Sequence, residues 1–133
     1  MVVLTPTYKS IRQTIRINGR RMVLPPLFTD IIDERNGYNY PISLFLSLQV
    51  YSSQTRNLPF IVLYDFQMNN SPSLEKIQIN QRKIILPEKA TKHASLEDEV
   101  TIIGVDNHME LWHPKNYHAY ENLQAIKPRL IVP

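Results

Sequence analysis

At 133 residues the chain can form one ordinary domain or two half-domains that share a core, and an apolar fraction of 43% is enough to fill that core, so disorder is not expected. The absence of cysteine excludes disulfides, thiol nucleophiles and cysteine-ligated zinc or iron–sulfur sites, and three glycines in all argue against a phosphate-cradling loop. The net charge of +3 is modest but unevenly placed, because residues 1–25 carry Lys9, Arg12, Arg16, Arg20 and Arg21 and no acid. Such clustering is the footprint of a polyanion-binding face, since phosphate contacts by Lys and Arg release condensed counterions. A solvated strand face is the alternative. No apolar run approaches the roughly 20 residues of a membrane span. Met1 to Thr7, followed by Lys9 and Arg12, lacks the apolar core of a signal peptide, so a soluble cytoplasmic protein is expected.

Thr7 to Asn18 reads as a first strand, with Ile11, Ile15 and Ile17 apolar and arginines between them. Asn18-Gly19 signals a turn, and Met22-Val23-Leu24 makes a return strand that Pro25-Pro26 stops. Pro26 to Glu34 has helical spacing and a proline suited to the first turn, ending near Asn36-Gly37. Pro41 to Tyr51 is predicted to be a buried strand, while Leu58 to Phe66 suits a strand or a helix equally. Met68 to Ser73 is the clearest linker and places a boundary near residue 70, giving modules of 1–70 and 71–133. Strands over Ile77–Asn80 and Lys83–Leu86 follow, then a helix over Pro87–Ala94 with its acid in the first turn. Glu97-Asp98-Glu99 is a solvated charge run. Val100–Gly104 and Met109–Trp112 are strands about a turn at Asp106-Asn107, Pro114–Leu123 is a closing helix, and the tail from Ala125 is irregular.

The chain repeats itself. Ile15 to Pro25 returns as Ile77 to Pro87, 62 residues later, with six of eleven positions identical. Each copy reads as an alternating arm, a basic turn, an apolar run and a proline stop. The turns carry Arg20, Arg21, Arg82 and Lys83, with Arg16 on the arm, and these five are the candidate DNA-binding residues.

The segment Leu86 to Leu123, with Glu-Val-Thr-Ile-Ile-Gly-Val-Asp-Asn-His-Met-Glu-Leu-Trp-His-Pro at its centre, resembles the C-terminal half of the bacterial MraZ family. The resemblance implies an α+β fold of two tandem SpoVT/AbrB-like modules, each a swapped hairpin, interleaved into one pseudo-two-fold, β-barrel-like domain with short helices. It also implies ring-like homo-oligomers that bind repeated promoter sites in double-stranded DNA upstream of the division and cell-wall gene cluster and repress it, which makes the protein nucleoid-associated. The family's middle helical hairpin looks shortened here, between about Ser52 and Ser73. The family's turn reads Asp-x-x-Gly-Arg. Counting back from Pro25 and Pro87 puts Ile17 and Ile79 at the Asp, Arg20 and Arg82 at the Gly, and Arg21 and Lys83 at the Arg. An alternative register takes Gly19-Arg20 as the Gly-Arg pair, and both leave the same four cations on the turns.

Other chemistry is not expected. His108, His113 and His118 are spaced by five rather than the i, i+4 of a helical metal pair, so neither metal nor cofactor is assigned. Asp65, Asp98 and Asp106 read as surface acids without a nucleophile or base in a motif, which argues against an enzyme. Trp112 is read as core or subunit interface rather than a base-stacking platform, and the long strand over Ile42–Val50 favours self-assembly. Two further readings are a protein-interaction or assembly module without sequence-specific DNA binding, and an AbrB-like antitoxin or transition-state regulator.

Overall fold

The computed structural model describes residues 6–38, 42–67 and 74–130. The chain runs through β1 (Arg12–Arg16), β2 (Arg21–Val23), α1 (Pro26–Arg35), β3 (Ser43–Ser52) and β4 (Asn57–Tyr64). It then repeats that order as β5 (Glu75–Gln78), β6 (Lys83–Ile85), α2 (Glu88–His93), β7 (Glu99–Val105) and β8 (His108–Trp112), and closes with α3 (Pro114–Leu130). Both first helices begin straight after an extended proline, Pro25 and Pro87, whose missing N–H is no loss where the first-turn N–H groups have no helical partner. In α2 the acid Glu88 sits in the first turn and Lys92 and His93 in the last, which complements the helix dipole as expected.

Six strands form one antiparallel sheet in the order β1-β7-β8-β4-β3-β5, and β2 and β6 form a separate two-stranded ribbon. The pairings are reciprocal. β1 pairs with β7, Ile15 opposite Val100, and β5 pairs with β3, Ile77 opposite Leu44. At the centre Ile61 faces Leu111 and Leu63 faces Met109, and in the ribbon Arg21 faces Ile85 while Val23 faces Lys83. The return strands expected after each basic turn therefore form, but not as partners of their own arms. Beyond the single bridges Asn18–Arg21 and Asn80–Lys83, each pairs with the return strand of the other copy. The reason lies in the core: Met22 and Ile84 are both buried and directly opposite, so pairing across the repeat puts two apolar side chains together. Burial of each such side chain is worth about 1.5–3 kcal/mol.

One apolar core joins both halves, with Leu24, Phe28 and Ile32 packed in the same cluster as Leu86, Val100, Ile102 and Leu111. Phe28 and Ile32 on α1 stand where the repeat offset places Ala90 on α2 and Ala94 just past its end, all four buried, so α1 fills its side with bulk. The ring of Tyr8 stacks on Phe28 at 6.2 Å.

Several expectations are corrected. The first strand covers only Arg12–Arg16, because Ser10 turns the chain at φ 71 and Tyr8 packs into the core, its N–H bonded to the Asp106 carbonyl. Leu58 to Phe66 resolves as strand through Tyr64, paired on both sides by β3 and β8. The buried strand predicted over Pro41–Tyr51 is buried at Leu44 and Leu46 but exposed at Leu48 and Val50. The shortened helical hairpin expected between Ser52 and Ser73 is strand hairpin as far as Tyr64, while the predicted linker at Met68–Ser73 lies outside the described residues. The helix expected to stop at Leu123 continues to Leu130, so the tail expected to be irregular from Ala125 is helical to that point. Asp65 is buried and paired rather than on the surface. The large sheet is open, with β1 and β5 at its two ends, and does not close into a barrel.

Candidate nucleic-acid interface

Each basic turn is closed by a pair of backbone bonds, Asn18 with Arg21 at 2.9 and 3.0 Å and Asn80 with Lys83 at 2.9 Å in both directions. In the first, Gly19 alone takes positive φ, 64°; in the second, Gln81 and Arg82 both do, at 53° and 65°. The first is the pattern of a type II′ turn and the second of a type I′ turn. Each turn is then held by the opposite copy: the Leu24 N–H donates to the Arg82 carbonyl at 2.7 Å, and the Leu86 N–H to the Arg20 carbonyl at 2.8 Å. The basic side chains are thus carried on backbone that is fixed from both sides.

Strand alternation does the rest. Met22 and Ile84 point into the core, so Arg21, Val23, Lys83 and Ile85 point out. Arg16, Arg20, Arg21 and Lys83 line one groove of about 1190 Å³ between the ribbon and the ends of β1 and β5. Arg20 also reaches the Leu86 carbonyl with Nη1 at 3.4 Å. Arg82 is exposed but lines a neighbouring cleft with Thr29, Asp30 and Ile79, so four of the five candidates share one groove and the fifth borders it. Lys76 on β5 lines the same groove, as do Val23 and Ile85, and these three were not singled out from the sequence. The signal for Val23 and Ile85 was strand alternation, which puts residue i+2 from Arg21 and from Lys83 on the cations' own face. The groove also holds two acids, Glu75 and Asp98.

Four cations outside the turns are held in ion pairs. Arg12 pairs with Glu121, Arg35 with Asp65, Lys89 with Glu75 and Lys92 with Glu88. Among the described residues no acidic side chain pairs with Arg16, Arg20, Arg21, Arg82 or Lys83. Beside these turns Ile17 and Ile79 pack on the core.

The comparisons with known proteins bear on the same region. Residues 80–128 match the model of a family described as "MraZ protein, putative antitoxin-like". A transcriptional regulator MraZ of Finegoldia magna is 26% identical over 119 residues, covering 80% of this chain and 80% of that protein. Proteins of the same name from Thermomicrobium roseum and Rickettsia rickettsii are 38% identical over 47 residues and 33% over 51, covering 33% and 34% of their lengths. The resemblance read from Leu86 to Leu123 is thereby shown: through its second half this chain carries the pattern of the MraZ family.

Proposed function

We propose that this protein is a DNA-binding transcriptional regulator of the MraZ kind, in which residues 1–70 and 71–133 are two SpoVT/AbrB-like modules that exchange elements about a pseudo-two-fold axis. The reciprocal registers of β1 with β7 and β5 with β3 support the modular reading. One observation carries the DNA reading: the ribbon and its two turns put Arg20, Arg21, Arg82 and Lys83 in exposed positions, without acidic partners among the described residues, on backbone locked by the opposite copy. A ribbon whose strands lie about 4.8 Å apart fits a major groove about 12 Å wide, and ribbons of this kind are known readers of DNA. From the family resemblance we carry over the target, repeated promoter sites ahead of division and cell-wall genes, with repression as the outcome. Ring-like homo-oligomers would present several ribbons to such repeats.

Salt dependence tests the reading. Neutralising Arg20, Arg21, Arg82 and Lys83 together should weaken binding to duplex DNA and flatten the log–log salt slope by about 3 to 4, at roughly 0.9 per phosphate contact. The same charge loss at Arg56, Lys89, Lys92 and Lys115, all exposed, should leave the slope in place. An unchanged slope in the first variant puts the DNA face elsewhere. Absence of binding by the wild type at about 50 mM salt supports the second reading, an assembly module, which the exposed Leu48 and Val50 on β3 favour.

A further inference from the structure

The outward face of the ribbon is not uniformly basic. Val23 is 47% exposed and Ile85 is 53% exposed, and each sits directly across from a cation of the other strand, Val23 opposite Lys83 and Ile85 opposite Arg21. Cations and aliphatic side chains therefore alternate both along and across the ribbon. Sheet propensity alone does not account for this, because threonine is also β-branched and suits an exposed strand position without presenting only methyl groups to water. On one face of an antiparallel pair, diagonal neighbours lie about 7–8 Å apart, so Val23 and Ile85 form two separate apolar points framed by positive charge. The surface that matches such a pattern is itself apolar points in a polyanionic frame. In the major groove of DNA the 5-methyl group of thymine is that point, and it is the one apolar feature on the base edges there.

We infer that Val23 and Ile85 contact thymine methyl groups, so that the ribbon favours A·T pairs in the groove where its cations hold the phosphates. The inference rests on the DNA-binding reading above and adds to it the two side chains that discriminate among bases. Neither residue anchors the core, since Met22 and Ile84 do that from the opposite face.

Uracil differs from thymine only by lacking the methyl group, which isolates the contact. The duplex that the wild-type protein enriches from a random pool is synthesised once with thymine and once with uracil throughout, and both are titrated with wild type and with a Val23→Ser, Ile85→Ser double variant. A buried methyl is worth about fourfold in affinity. The wild type should therefore lose on the order of tenfold on uracil DNA if both contacts form, while the double variant should bind the two duplexes equally. Equal binding of both duplexes by the wild type overturns the inference and leaves DNA binding standing. So does an equal loss in wild type and variant, which assigns the effect to DNA shape. If the double variant instead changes the molecular mass seen by light scattering without changing the thymine-to-uracil ratio, the two residues serve self-association and the inference fails. Failure of the wild type to enrich or bind any duplex removes the DNA-binding reading itself.

Discussion

Arg82 sits at φ 65 in the second position of its turn, where glycine is at ease and an L-residue is strained. The first copy places Gly19 at φ 64 with open space around it, so a methyl group there meets no neighbour and acts only through the backbone. Gly19→Ala should then destabilise by about 1 kcal/mol, and Arg82→Gly should stabilise by a similar amount while weakening DNA binding. Urea midpoints and a binding titration on the same variants check both, and a stabilised variant with undiminished affinity would remove Arg82 from the interface. A second residue-scale feature is buried beside α1. The Tyr8 hydroxyl donates to Asp65 at 2.8 Å, and Arg35 Nε reaches the same carboxylate oxygen at 2.7 Å. Burial, reinforced by the Asp65 charge, pushes the Tyr8 phenol well above its ordinary value of 10. A raised value in the folded state means that folding holds the proton more tightly. The stabilisation is therefore complete below pH about 10 and is lost as pH rises beyond it. Tyr8→Phe should flatten the alkaline fall in stability relative to wild type, read from urea midpoints across that range.

At the scale of elements, the hairpin of β3 and β4 is longer than that of β7 and β8, and its extra length meets α3. Phe60 stacks on Trp112 at 4.3 Å, Tyr120 lies 5.1 Å from Trp112 and 4.9 Å from Tyr51, and Gln124 bonds the Tyr51 hydroxyl at 3.1 Å. The Trp112 indole N–H donates to Glu110 at 2.9 Å, so the ring is buried without leaving its polar atom unpaired. Trp112→Ala opens the middle of this belt and should destabilise the fold by about 3–5 kcal/mol, followed by circular dichroism in urea. Gly104 fixes the other side of the sheet, where a Cβ would overlap the Tyr8 carbonyl. None of these meetings was legible beforehand. The aromatic residues of Leu58–Phe66 suited strand and helix alike, and only the pairing of β4 between β3 and β8 decided the matter.

For the whole molecule, the open sheet and the exposed Leu27, Leu48 and Val50 leave apolar surface that a second copy can cover. The proposed assembly predicts a mass well above 15.6 kDa in light scattering at micromolar protein, and a monomer there counts against rings. The repeat of Ile15–Pro25 as Ile77–Pro87 was visible in the residues, and so were the basic turns, the proline-started helices and the resemblance around Glu110-Leu111-Trp112, because turn chemistry, proline geometry and alternation are local. What the residues left open was partnership. Met22 could bury itself against its own arm or against Ile84 of the other copy, and periodicity is the same in both cases. The choice belongs to the fold, which pairs each return strand with its counterpart, joins the two cores into one, and so brings cations 62 positions apart onto a single ribbon.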